Sequence, residues 1–585
     1  MFRIFKNIRR RDWGLFAAAV ALIVLQVFLD LKLPDYMTDI TKLIETPGST
    51  LHQVLKAGVK MLACALGSVV SGGITAVIAA KIAADFSAIT RGKLYDAVQS
   101  FSMAEIHRFS TSSLITRMTN DVNQVQLLIT MGMVSVVKAP IMAVWAITKI
   151  ANKNAEWTMA TGVAVVILFV LIAVVLGLCV PKFKRIQSLT DDVNRVTRED
   201  LTGLKVIRAY NNADYQTNKF EQVNDTLTNN NLYTGHRMSL MMPGIQAVLN
   251  GLTLAIYALG AVMINHAAMA DKVTLFSNMV VFSSYAIQVI MAFMMLVMIY
   301  MIYPRASVAA QRILEVTDTK PSIISGTRTE GLPGQRGEIT FRHVNFRYPD
   351  ESRDVIHDID FTVHQGETLA LIGTTGCGKS SIINLIPRFY DATEGQVLVD
   401  GVDVRDYDTK ALNDKIGYVA QTPQLFQGTL ASNIAFGKTA SGKPDDTAIQ
   451  NAAEISEAKE FIETADGGLN HTVAQSGTNL SGGQRQRVSI ARAVARKPEI
   501  LIFDDAFSAL DYKTDRKVRD HLKTQCAGAT KLIVAQRIGT IRDADCILVI
   551  KDGKIAGRGT HSELMATCDE YQQIALSQLS KEELA

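Results

Sequence analysis

Along the first 303 residues, apolar positions come in long unbroken runs instead of alternating with polar ones. Six runs lie at about 13–29, 61–80, 127–148, 157–180, 239–264 and 273–303. Each approaches or exceeds the roughly 20 residues that a helix needs to cross a hydrocarbon core about 30 Å thick. Five of them contain no Asp, Glu, Lys or Arg, and the third carries Lys138 close to Pro140. One such run could be a buried core helix; six in series predict six membrane spans. A charge at membrane depth is costly, so Lys138 is expected to face a water-filled cavity or to snorkel towards the interface. The sixth run contains "MAFMMLVMIYMIY", whose flexible thioethers suit either a lipid-facing or helix-packing stripe or a ligand surface.

The connections extend this picture. Those between the third and fourth and the fifth and sixth runs are about eight residues long, whereas those at 81–126 and 181–238 are about 46 and 58. The long ones are rich in helix formers, which predicts spans continuing as helices beyond the bilayer, about 22 Å for every 15 residues. The N-terminus and the two long connections hold 19 Lys and Arg against 7 on the alternate side, so the first set is expected in the cytoplasm. "MFRIFKNIRRRDWG" reads as the basic flank of a retained span, because "LDLKLPDY" makes a poor cleavage site. The net charge of +4 is too small to argue for nucleic acid by itself, and no nucleic-acid partner is expected. The six cysteines form no CxxC pair and are expected to be free thiols. The organisation expected is a transmembrane domain over 1–310, a linker over 311–335 and a soluble α/β domain over 336–585.

The soluble half carries the chemistry. "LALIGTTGCGKSS" places Gly373, Thr374, Thr375, Gly376, Cys377, Gly378, Lys379, Ser380 and Ser381 between an apolar strand and a helical segment. This is the phosphate-loop pattern in its required context. Its glycines let backbone N–H groups curl around phosphates, Lys379 reaches the β and γ phosphates, and the Ser380 hydroxyl faces Mg2+. "ILIFDD" ends an apolar strand on Asp504, where a carboxylate can hold Mg2+ through water. "LSGGQRQR" opens a helix, so the amides of its first turn form a second anion site. One chain has no need of two phosphate sites. The second makes sense if it closes over ATP held by another subunit.

"GTTGCGKS", "LSGGQRQR" and "FDDAFSALD" in this order resemble the ABC transporter family, specifically bacterial multidrug-type half-transporters. "SSLITRMTNDVNQVQ" and "REDLTGLKVIRAYN" are similar to segments around the coupling helices of such exporters. The resemblance implies a fold of six transmembrane helices plus a cytoplasmic α/β ABC-type P-loop nucleotide-binding domain, with ATP and Mg2+ as ligands. It implies that Tyr348 stacks on adenine and that Gln421 joins Ser380 and Asp504 around Mg2+ and links the nucleotide to the membrane domain. It sets Ser481, Gly482, Gly483 and Gln484 against ATP on the opposite subunit, with Asp511 in the loop between the two sites.

Three positions depart from the family pattern. Asp505 stands where the general base is normally glutamate, Gln536 where the switch residue is normally histidine, and Gln475 where a glutamate usually precedes the signature. Aspartate withdraws the carboxylate by about 1.5 Å. Glutamine donates hydrogen bonds but carries no proton as imidazolium does. Both changes predict a site that binds ATP and cleaves it slowly, paired with a partner half-transporter that supplies the missing base and switch. The expected protein is a multi-pass plasma-membrane exporter of amphipathic small molecules, its termini cytoplasmic, its partners a second half-transporter and the lipid bilayer. Lipid or peptide cargo, or a purely regulatory ATP-binding subunit, are the alternatives. The short stretch before the first span leaves no room for the peptidase extension that would favour peptides.

Overall fold

The structure, a computed structural model of the chain, describes residues 2–45, 49–151, 154–268, 271–349, 351–438 and 442–578. Lys153, one of the cations on the Lys-poor side, lies outside them. The chain forms two compact units: Met1–Asp96 with Leu114–Asp318, and Ala97–Ser113 with Thr319–Ala585.

The first unit is helical. Its long helices are α1 (Arg10–Glu45) and α2 (Leu51–Ser100). The short helix α3 (Met103–Phe109) belongs to the second unit. Then come α4 (Val122–Ala151), α5 (Ala155–Ala209), α6 (Ala213–Ser239), α7 (Met241–His266) and α8 (Lys272–Asp318). Among the described residues, six helical stretches are long and apolar enough to cross a membrane, the fifth being α6 and α7 together. That stretch breaks at Leu240, ahead of Pro243, whose ring and missing N–H weaken the preceding turn. The helices outlast the apolar runs. α2 continues past residue 80 to Ser100, and the 55 residues of α5 make a rod about 82 Å long. The stretch expected as linker from 311 is still helical to Asp318.

At most 33% of any span's apolar window is buried inside the protein. Leu62, Leu66, Val69 and Val77 of α2, among others, therefore face outward. Water would not tolerate so large an apolar surface, while hydrocarbon suits it, because the helices satisfy their own backbone polar groups. Inward, Ile23, Val27, Trp157, Leu168, Phe282 and Tyr285 build the core, with the Trp157 and Phe282 rings 5.3 Å apart.

Two aspartates of α1 organise the polar contacts of this core. Lys138 Nζ lies 3.2 Å from Asp30, which also accepts a hydrogen bond from Ser68 of α2. Lys138, half-buried, thus has its charge met by a carboxylate on a neighbouring helix. Lys149 lies 2.8 Å from Asp35, which accepts a further hydrogen bond of 2.6 Å from the Tyr285 hydroxyl of α8. Removing one member of such a pair leaves the other charge uncompensated, whereas removing both leaves none. Lys138→Met is therefore expected to lower the detergent melting temperature, and Asp30→Asn with Lys138→Met to recover most of the loss. Thermal scans of the two variants check this.

In the second unit, a six-stranded sheet has the order Lys554–Gly559, Cys546–Lys551, Thr368–Gly373, Thr530–Val534, Ile500–Asp504, Ile416–Val419. Only the first of these strands runs antiparallel to its neighbour. Ile500–Asp504 and Thr530–Val534 are buried throughout, as parallel strands covered on both faces must be. A four-stranded antiparallel sheet (Ile356–Val363, Ile339–Phe346, Glu394–Val399, Val402–Asp403) closes a second core around Phe341, Phe346 and Phe361.

Helix α3 docks within this unit. Ser102 and Glu105 form its capping box, and Glu105 also accepts from the Ser322 N–H at 3.2 Å. Burial alone would raise the Glu105 carboxyl, but the hydrogen bonds of Ser102 and Ser322 hold it below its usual range. All six cysteines are free.

Candidate nucleotide site

The order of the parallel strands assembles the site. Thr530–Val534 lies between the strand that ends at Gly373 and the strand that ends at Asp504, in register Val534 with Leu371 and with Asp504. The carboxyl ends of three parallel strands thus open on one crevice, where such sheets bind ligands. The residues that follow those ends are the phosphate loop, Asp505 and Gln536.

The loop requires its glycines. A Cβ at Gly373 would overlap the Ile550 carbonyl oxygen, and Gly378, at φ +100°, caps helix α9 (Lys379–Leu385) in a left-handed conformation that side chains disfavour. Lys379, buried, donates from Nζ to the carbonyls of Gly373 and Thr374, both at 2.8 Å. Thr374, Thr375 and Gly376 are exposed at the loop tip, while Cys377 packs into the core beneath. Ser380 Oγ donates to Asp504 at 2.9 Å. Ser381 shares a 2.9 Å hydrogen bond with the Tyr348 hydroxyl, and the Tyr348 ring stands edge-on to Phe346 and Tyr390. An aromatic surface thus lies one helical turn from the loop, suited to a base whose phosphates the loop cradles.

Asp504 and Asp505 are both buried, at 7% and 8% exposure. Burial pushes both carboxyls up, and for Asp504 the neighbouring Asp505 adds to the effect; Lys379 opposes it at both. Two such carboxyls beside one lysine favour a further cation. Ser380 Oγ and Asp504 are hard oxygen donors of the kind Mg2+ prefers. The site therefore fits a magnesium nucleotide. Gln421, the third expected ligand, is exposed just beyond the strand Ile416–Val419.

Asp505 has a left-handed backbone (φ 47°), and its N–H donates to the Val534 carbonyl at 3.0 Å. Its Oδ2 accepts a 2.8 Å hydrogen bond from Gln536 Nε2. The two departures from the family pattern therefore meet, the long glutamine reaching the short aspartate. Gln536 is itself anchored, its carbonyl accepting from Gln578 Nε2 at 2.6 Å.

The signature stands apart. Ser481 caps helix α10 (Gly482–Val494) in a box closed by Gln484, with Gln484 N–H on Ser481 Oγ at 3.2 Å and Ser481 N–H on Gln484 Oε1 at 2.8 Å. Among the described residues no hydrogen bond joins Ser481, Gly482, Gly483 or Gln484 to the phosphate loop. A Cβ at Gly482 would meet nothing within 4 Å. Asp511 caps the helix α11 (Tyr512–Gln525) through the Thr514 N–H at 3.0 Å. Gln475 begins a short helical turn in which Ser476 takes φ 58°. Sequence reasoning missed Tyr418, whose half-buried hydroxyl donates to Asn384 at 3.0 Å and is pushed up by burial and by Asp504. It also missed the capping of α3, although Ser102-x-x-Glu105 is a legible capping signal.

Residues 356–508 match the ABC transporter family and residues 14–302 the ABC transporter transmembrane region. An uncharacterized ABC transporter ATP-binding protein of Mycobacterium bovis is 39% identical over 521 residues, 88% of this chain and 86% of that protein. A second, from Bacillus subtilis, is 34% identical over 97% of both chains. An ATP-dependent lipid A-core flippase of Pectobacterium atrosepticum is 31% identical over 83% of this chain and 82% of its own length. A bacterial Atm1-family ABC exporter, solved with ATP bound, superposes with a TM-score of 0.79 at 22% identity, covering 96% of this chain and 98% of that one. The chain belongs to the ABC transporter family: it is a half-transporter with fused transmembrane and ATP-binding domains on the Atm1-type exporter fold, and an ATP-hydrolysing transport enzyme.

Proposed function

We propose that this exporter subunit moves amphipathic small molecules out of the cell as one half of a heterodimer, and that its own ATP site holds nucleotide more than it cleaves it. The observation that carries this reading is the 2.8 Å hydrogen bond between Gln536 and Asp505 beside an unaltered "LSGGQ". A general base must reach the attacking water within about 2.6–3.2 Å. Asp505 is one methylene short, is buried with a raised affinity for its proton, and has one oxygen engaged by an amide that cannot relay a proton.

In this reading Lys379 and the loop amides hold the phosphates, Tyr348 holds the adenine, and Ser380, Asp504 and Gln421 hold Mg2+. The metal, when bound, neutralises charge between the transferring and leaving phosphates. Ser481, Gly482, Gly483 and Gln484 complete the partner's site, with Asp511 between the two. The Lys and Arg distribution favours a plasma-membrane orientation with both termini in the cytoplasm.

Lipid cargo is the second reading, favoured by the likeness to lipid A-core flippases. Inside-out vesicles carrying this chain, with and without a co-expressed half-transporter that has Glu and His at the positions of Asp505 and Gln536, test both. ATP-driven uptake of an amphipathic dye is expected only with both subunits. Uptake of a labelled lipid instead would establish the second reading. Full-speed ATP hydrolysis by this chain alone, unchanged by Asp505→Asn, would overturn the heterodimer.

A further inference from the structure

The segment that carries Gln536 does not cap itself. It leads from the strand Thr530–Val534 into a helix of a single turn, α12 (Ile538–Ile541). Arg537 stands at the N-cap of α12, where Ser, Thr, Asp or Asn would satisfy a first-turn N–H. Among the described residues its side chain makes no capping hydrogen bond. The cap comes instead from Gln578, whose Oε1 accepts from the Ile538 N–H at 2.8 Å. The same amide donates from Nε2 to the Gln536 carbonyl at 2.6 Å. One side chain thus grips the backbone on both sides of Arg537. Its helix, α13 (Asp569–Gln578), is fixed to the domain core by the buried Tyr571 and Ala575, and the Tyr571 hydroxyl shares a 2.7 Å hydrogen bond with His561. Gln578 itself is exposed, so apolar packing does not account for its place. The far end of α12 is held separately, Thr540 Oγ1 donating to the buried Asp515 at 3.1 Å.

We propose that Gln578 is a positioning residue for ATP cleavage: by fixing the backbone from Gln536 to Ile538, it sets where the Gln536 side chain stands. That side chain donates one amide N–H to Asp505 and has a second to offer a phosphate oxygen. A donor stabilises developing charge best when it is oriented in advance, and a misplacement of about 1 Å can cost roughly a hundred-fold in rate. The double grip requires an amide. Glutamate would accept from Ile538 but set an acceptor against the Gln536 carbonyl, asparagine would fall about 1.5 Å short, and methionine would fill the space and make neither bond. The inference rests on Gln536 standing at the switch position and is independent of the second subunit.

The test is single-turnover cleavage of γ-labelled ATP by the full chain in nanodiscs, with enzyme in excess and followed for hours so that a slow site still yields a rate. Gln578→Met is expected to lower that rate roughly ten- to a hundred-fold. ATP affinity should stay within about twofold, which also shows that the variant has folded. Gln578→Glu, which keeps the shape and one of the two bonds, should lose rate as well. Gln572→Met removes a 2.7 Å amide hydrogen bond to the Met565 carbonyl on the same helix, away from the switch. It should leave the rate within about twofold. With Gln536→Ala already in place, Gln578→Met should cost nothing further, because the two side chains serve one function. Unchanged cleavage in folded Gln578→Met overturns the proposal, and so does an equal loss in the Gln536→Ala background. Fast cleavage by the chain alone that still depends on Gln578 overturns the slow site and keeps the positioning residue. Slow cleavage that ignores Gln578 does the reverse.

Discussion

Asp505→Glu combined with Gln536→His is expected to raise the steady-state ATPase of this chain, purified alone in nanodiscs, by roughly a hundred-fold. The added methylene carries the carboxylate forward by about 1.5 Å, one C–C bond. Histidine releases the Asp505 Oδ2 that Gln536 now occupies at 2.8 Å and restores a side chain able to carry a proton. Positioned acid–base help is worth about 10²–10⁴ in rate, so the gain is large if these two positions limit cleavage. ATP affinity should stay within about threefold, since Lys379, Ser380 and Tyr348 are untouched; a change of that size is under 1 kcal/mol. Single variants should each gain less than the pair, because base and switch serve one step. A double variant that binds ATP equally but hydrolyses it no faster would show that the slow site has another cause.

Gly482→Asp is expected to cut the ATPase of the assembled two-subunit transporter by roughly 10²–10³, the cost of losing one preorganised anion contact. At the first residue of α10 the new side chain meets nothing within 4 Å, and a carboxylate there suits the helix dipole. The variant should therefore fold with unchanged or slightly higher melting temperature and bind ATP at its own loop normally. What it changes is the sign of charge offered to phosphates on a facing subunit. Asp505→Asn with Gln536→Ala in the same transporter should leave its ATPase within about twofold, a free-energy change under 1 kcal/mol. Equal losses from the two sets of substitutions would place hydrolysis in this chain's own site and reverse the proposed division of labour.

The parts of the molecule that were legible in sequence are those whose chemistry is local. A phosphate loop needs its glycines, lysine and serine within nine residues, because successive amides must surround one anion. A membrane helix must be apolar over most of some 20 successive residues, and that run is visible in the chain itself. The pairing of Asp505 with Gln536 was hidden because it depends on which strands are neighbours; only the sheet order sets 505 beside 536. The partner of Lys138 was hidden for the same reason. Its partner, Asp30, lies just past the apolar run of α1, where it looked like the end of a span when it is part of a helix that continues to Glu45.

The length of α5 has a mechanical consequence. A rod of 55 residues is about 82 Å from end to end, nearly three times the thickness of a bilayer core. Pivoted at one end, it carries its tip roughly 7 Å for a tilt of about 5°. A rearrangement at the turn Tyr210–Asn212, too small to repack any interior, is thereby enlarged into a displacement the size of a side chain at the opposite end. The helix acts as a lever whose gearing is set by its residue count, so inserting or deleting whole turns would alter the stroke and leave the chemistry unchanged.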